Sequence, residues 1–227
     1  MTTTLARPRR RLHREGMVFS GISWRNYERI GRIFWNRPIR ITYDRGQMEI
    51  RTTSNEHDRF KHLVRRLLDV LVEELGIEIY GSGSMTFKRE ILKKGLEPDE
   101  CYWIQNEPIV RGRMDYDIER DPPPDLVLEV EISRSVLNRL GIYASLGVPE
   151  IWRFNRKILK VCRLVDGAYQ VVDRSLAFPF LDPASLLLWF LKQQPPSGEI
   201  ALSKAFRAWV RDQQASGWPN GGMPQVT

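Results

Sequence analysis

Residues 122–133 read Pro-Pro-Pro-Asp-Leu-Val-Leu-Glu-Val-Glu-Ile-Ser, and this stretch decides the fold. Three consecutive prolines cannot continue a helix, so the chain enters this segment extended. The aliphatic run that follows predicts a strand with few polar positions, hence one buried on both faces of a sheet. Side chains alternate along a strand, so Leu126, Leu128, Val130 and Ile132 share one face. Asp125, Val127, Glu129 and Glu131 share the other. Burying a carboxylate costs on the order of several kcal/mol unless a cation or positive side chain meets it. An acidic face on a core-like strand therefore points to a site. The alternative is an edge strand with Glu129 and Glu131 in solvent.

Working upstream, Glu97-Pro98-Asp99-Glu100-Cys101-Tyr102-Trp103-Ile104 repeats the same punctuation, a proline-aspartate step leading into a strand. If the two strands are neighbours, Asp99 and Glu129 converge on one point. Two carboxylates with water completing the shell suit a hard cation, Mg²⁺ or Mn²⁺. Such an ion can activate a water and stabilise the leaving oxygen of a phosphodiester. Asp125 reads as a residue of the strand start rather than a ligand. The charged segment 105–121 between the strands reads as a loop.

The rest of the chain supplies layers for this pair of strands. Ser23 caps a short amphipathic helix to about Phe34, and residues 40–50 form a hairpin turning at Asp44-Arg45-Gly46-Gln47. Thr53-Ser54-Asn55-Glu56 has the capping-box pattern and opens the longest helix. Its stripe is Phe60, Leu63, Val64, Leu67, Leu68, Leu71 and Leu75, and Gly76 ends it. Strands are expected at 77–80 and 85–88, joined by the turn Gly81-Ser82-Gly83-Ser84. Beyond the opening stretch a helix is expected over 134–146, weakened by Gly141 and closed by Gly147. Three antiparallel strands at 150–155, 158–164 and 169–174 come next. Asp182 caps an apolar helix over 183–192, and Ser197 caps a last one to Gln213. The expected class is α/β (α+β), with a mixed β-sheet core flanked by helices.

Composition bounds the reading. The chain has 227 residues, 42% hydrophobic and 28% charged, with a formal net charge of +7. One sizeable core is expected over 21–194, with a basic tail over 1–20, a helix over 195–213 and a tail over 214–227. Five of the positive charges are Arg7, Arg9, Arg10, Arg11 and Arg14, so the excess lies in the first tail. That tail suits non-specific contact with phosphates. Neither a membrane-spanning run nor a signal peptide is legible, and Cys101 and Cys162 read as reduced core thiols. A cytoplasmic protein is expected.

Together these residues resemble the PD-(D/E)XK nuclease superfamily, and more narrowly its restriction endonuclease family of the Uma-two type. The resemblance rests on EPDECYWI (97–104), PPDLVLEVEIS (123–133) and IYASLGVPEIW (142–152), with the hairpin and Ser54-Asn55-Glu56-His57 before them. It spans about 22–191. It implies a restriction-endonuclease-like core and a metal-dependent endonuclease acting on DNA, with Mg²⁺ or Mn²⁺ at Asp99 and Glu129. It also implies a polar group at Glu56 or His57 and, by analogy with enzymes that cut both strands, a homodimer. One position departs from the pattern. The motif's lysine, two residues after the second acid, is here Glu131. Arg134 or Arg139 from the next helix is the candidate basic group, and Glu131 itself is a candidate assistant to the attacking water. The rivals are an inactive nuclease fold that binds DNA or protein, and an enzyme on another phosphate-bearing substrate.

Overall fold

The computed structural model describes residues 16–34, 37–192 and 198–218. The first part of the chain forms β1 (Met17–Phe19), α1 (Trp24–Ile33), β2 (Ile39–Asp44), β3 (Gln47–Thr52) and α2 (Asn55–Leu75). Then come β4 (Tyr80–Gly81), β5 (Phe87–Arg89), β6 (Lys94–Leu96), β7 (Glu100–Trp103), α3 (Glu107–Val110) and β8 (Leu126–Val130). The last part is α4 (Arg139–Leu146), β9 (Glu150–Phe154), β10 (Leu159–Val165), β11 (Ala168–Val172), α5 (Pro183–Lys192) and α6 (Glu199–Ala215).

The strands make two sheets, where the sequence suggested one. A six-stranded sheet has the order β11-β10-β9-β8-β7-β4, and a five-stranded sheet the order β1-β3-β2-β6-β5. All pairings are antiparallel except β8 with β9, which are parallel and joined through α4. β8 lies between β7 and β9 and is buried at every residue, as the aliphatic run requires. Leu126, Leu128 and Val130 face α2, α5 and α6, packing with Leu63, Leu67 and Leu71. Val127 faces the other way, with Cys101, Trp103, Ile142 and Tyr143, and with Phe87 and Leu96 of the five-stranded sheet. The six-stranded sheet is thus covered on one face by helices. On the other it is covered by α4 and the second sheet. Cys101 and Cys162 are buried and unpaired.

Several element limits differ from the sequence expectation, each for a local reason. Ser54, rather than Thr53, caps α2, because its hydroxyl accepts the His57 N–H at 3.0 Å. Glu56 turns outward to pair with Arg156. Gly76 ends the helix with φ 63° in the left-handed region. The helix expected from 134 starts only at Arg139. Its would-be first turn is held as a loop by the hairpin: Val136 N–H donates to Glu49 Oε1 at 3.0 Å, and Arg51 Nη2 donates to the Ser133 carbonyl at 2.6 Å. Asn138 then becomes the cap, its side chain accepting the Gly141 N–H at 3.0 Å. The strands expected at 77–80 and 85–88 shrink to β4 and β5 and lie in different sheets. β7 is shorter than 97–104, because the Ile104 N–H turns away to Asp125 Oδ2 at 2.7 Å. Ser197 and the arginines of the first tail lie outside the described residues.

The C-terminal α6 is tied to α2 by charge. Glu74 accepts from Arg211 Nε at 2.7 Å and from Arg207, and both guanidinium groups hold its carboxyl below the ordinary glutamate range. A group depressed in this way contributes stability above its unfolded pKa and loses it as pH falls. Glu74→Gln should therefore lower the unfolding midpoint by about 2 °C at pH 7, a small effect because the pair is near solvent. In a thermal melt followed by circular dichroism, the difference from wild type should begin to narrow below the ordinary glutamate range and close as pH falls through the depressed folded value. A deficit that persists unchanged through that fall assigns the effect to packing instead.

Candidate active site

The register of β7 and β8 assembles the site. Glu100 stands opposite Leu128, so Asp99, one residue before β7, stands opposite Glu129. Alternation places both on the face shared by Cys101, Trp103 and Val127, towards α4 and the second sheet. The two carboxylates lie at the base of a cleft of about 670 Å³. Its walls include Arg40 and Arg51 from the hairpin, His57 from the start of α2, and residues 131–140 leading into α4. Asp99 is 3% exposed and Glu129 7%, so both charges need partners.

Asp99 finds them in the backbone and in α2. The β7–β8 ladder stops at Leu128, and the next inward N–H, that of Val130, donates to Asp99 Oδ2 at 2.7 Å. His57 Nε2 lies 3.0 Å from the same oxygen, while its Nδ1 lies 3.0 Å from Asp58 Oδ1. Burial works against charge on the imidazole, but the two aspartates outweigh it and raise the His57 pKa above its ordinary value. Burial likewise works against the Asp99 carboxylate. Hydrogen bonding and charge from His57, the Val130 N–H and Arg139 overcome it and hold Asp99 below the ordinary aspartate range.

Glu129 is held differently. Its Oε1 accepts from Arg139 Nη2 at 2.5 Å and from the Tyr143 hydroxyl. Arg139 and Tyr143 are one turn apart on α4, so one helix face delivers both donors. Arg139 also donates to Thr42 Oγ1 and to the Glu97 carbonyl, each at 2.8 Å, which ties α4 to the second sheet. Burial pushes the Glu129 carboxyl above the ordinary glutamate range, with the nearby Asp99 charge adding to it, even against the guanidinium. Two carboxylates on one face are thus driven in opposite directions, a pattern suited to groups with unlike roles.

The other candidates separate. Glu131 falls beyond β8 at the rim of the cleft, where Arg153 grips both its oxygens at 2.8 and 2.9 Å. Asp125, grouped with Glu129 by alternation, closes the loop after β7. It accepts the backbone N–H groups of Ile104 and Asn106 and the Asn106 side chain at 2.6–2.9 Å. Arg134 is exposed at the cleft, and Arg139 is inside it. Sequence reasoning passed over Arg40, Thr42 and Tyr143. The hairpin's alternation does put Arg40 and Thr42 on one face, but nothing in the sequence says that this face closes the cleft.

The donor set is compatible with a hard divalent cation. Among the described residues, no hydrogen bond reaches Asp99 Oδ1 or Glu129 Oε2, which leaves one carboxylate oxygen on each strand. No group of three or more His, Cys, Asp or Glu side chains forms a metal cluster among the described residues. A cation here would keep several waters, as Mg²⁺ does readily. Among the described residues no helix is long and apolar enough to cross a membrane.

No curated protein matches the chain. The model of one family does, over residues 24–191, and that span takes in the six-stranded sheet, every strand of the other sheet except β1, α4 and every residue of the cleft base. The paired acids on β7 and β8, the His57 contact from α2 and the parallel β8–α4–β9 unit therefore all lie within the matched region, and the chain belongs to the Uma2 family, described as "Putative restriction endonuclease".

Proposed function

We propose that this protein is a metal-dependent endonuclease that hydrolyses DNA phosphodiester bonds, with Asp99 and Glu129 holding Mg²⁺ or Mn²⁺. The observation that carries the reading is the placement of these two buried carboxylates opposite each other at the base of an arginine-lined cleft. When bound, the ion supplies a polarised water and positive charge beside the phosphoryl group. Hydrolysis consumes one water: a bond forms from its oxygen to phosphorus, the opposite P–O ester bond breaks, and the departing alkoxide takes up a proton. Asp99, kept ionised by His57 and Val130 N–H, serves as a permanently anionic ligand. Arg139 stays protonated and offsets charge that grows on the phosphate, while it fixes Glu129 in place. Glu131, at the rim, would assist the attacking water once released from Arg153. The substrate would be gripped by cleft arginines and by the Arg-rich first tail. The tail joins the described chain at Gly16, packed against the Glu49 and Arg51 side chains. A homodimer acting on cytoplasmic DNA completes the proposal.

The test is cleavage of supercoiled plasmid by the full chain with Mg²⁺ or Mn²⁺, and again with excess chelator. Nicked or linear product that appears with metal and disappears with chelator supports the reading. DNA retention without cleavage in either metal favours the inactive binding module, for which Glu131 in the lysine position is the motive.

A further inference from the structure

We infer that Arg40 is a phosphate ligand of this cleft, supplying beside Asp99 the positive charge that a lysine at position 131 would supply. The inference rests on the nuclease reading for its substrate, a phosphodiester, but its geometry stands apart from that reading.

Arg40 comes from β2, in the second sheet, and reaches into the cleft with its side chain 19% exposed. Its Nε is buried and, among the described residues, has no hydrogen-bond partner. Its Nη1 makes one long bond, 3.4 Å to the carbonyl of Ile39. The nearest carboxylate oxygen, Asp99 Oδ1, lies 3.8 Å from Nε, a charge contact beyond hydrogen-bond reach. Across the hairpin, Arg40 stands opposite Arg51, so a second cation is its neighbour.

The other cleft arginines are already committed. Arg139 is bound to Glu129, Arg153 to both oxygens of Glu131, and Arg51 to Ser133. Arg134 is exposed. Among the described cleft arginines, Arg40 is the one beside the paired acids whose guanidinium makes no hydrogen bond to a side chain. A guanidinium is planar and forked, and two of its N–H groups match two oxygens of one phosphate. Buried donors in native folds are rarely left unmade, so the unpaired Nε of an arginine lining a cleft points to a ligand. The Nε of Arg139 is likewise buried and without a hydrogen-bond partner among the described residues.

Inorganic phosphate is the probe, used first without metal. For wild type the unfolding midpoint should rise with millimolar phosphate and calorimetry should show one site. For Arg40→Gln both should vanish, and Arg40→Lys should keep part of the binding. With plasmid and metal, Arg40→Gln should lower kcat by about 100-fold, with KM changed far less, because the donors act on charge that grows in the transition state. Phosphate binding by Arg40→Gln equal to wild type overturns the assignment. So does undiminished cleavage by that variant, and in that case the nuclease reading survives. Loss of phosphate binding in the variant, with no cleavage by wild type, upholds the phosphate site and removes the nuclease reading.

Discussion

Asp99→Asn and Glu129→Gln should each reduce metal-dependent plasmid cleavage by about 10²–10³-fold or more while the fold persists. Both substitutions keep shape and remove charge. An asparagine at 99 can still accept the Val130 N–H, so the end of the β7–β8 ladder is preserved. The same carbonyl oxygen faces His57 Nε2 and can accept from it, but it is neutral, so the imidazole loses the charge that favoured its protonation. A glutamine at 129 can still accept from Arg139 and Tyr143 through its carbonyl oxygen. What both variants lack is the second anionic oxygen turned to the cleft. Circular dichroism should stay near wild type, with a lower unfolding midpoint for Glu129→Gln because Arg139 loses its buried counter-ion, and calorimetric binding of Mn²⁺ should weaken sharply in each. Cleavage that survives both changes would sink the site assignment, whatever the stability result.

Arg139→Ala should be the most destabilising single change at the site, by about 3–5 kcal/mol, because it leaves Glu129 buried without its cation. For a chain of this length that corresponds to a fall in unfolding midpoint on the order of 10 °C. The loss is larger than the deletion of a surface pair because three further contacts go with it, to Thr42, the Glu97 carbonyl and the Tyr143 ring. A buried ion pair replaced whole by apolar side chains is often neutral in stability. The double variant Arg139→Met with Glu129→Leu should therefore recover much of the loss while remaining inactive. Chemical denaturation of the single and double variants checks this. A single-variant effect under about 1 kcal/mol, the scale of an exposed pair, would mean that Glu129 finds solvent in the native state.

Much of this was legible in the residues. The β8 run, with its prolines before and its unbroken aliphatic pattern, declares a central strand. The Pro98-Asp99 step repeats the signal on a neighbour, and the antiparallel pairing of the two strands places Asp99 beside Glu129. The α2 stripe is equally plain, since Leu63, Val64, Leu67, Leu68 and Leu71 are all buried. What alternation could not reveal is where a strand ends. Grouping Asp125, Glu129 and Glu131 on one face assumed a ladder that continues through all of them. In the structure Asp125 serves a loop and Glu131 lies past the last paired residue. The start of α4 was misplaced for a similar reason: Glu49, more than eighty residues away in sequence, captures the N–H that a first helical turn would use. His57 was visible as a polar residue at a helix start, and only the packing of α2 against β7 turns it into the partner of Asp99. Arg40 gave no local signal, because its role depends on one sheet lying over the other.

The grip of Glu49 and Arg51 on residues 133–136 has a consequence for how far the site can be moved. The hairpin is part of the apparatus. Transplanting β7, β8 and α4 alone onto another scaffold would strip Arg139 of Thr42 and the loop of its anchor. The smallest portable unit runs from residue 39 to residue 154, which keeps α4 whole and β9 beside β8, and a redesign that treats the hairpin as decoration would lose the cleft with it.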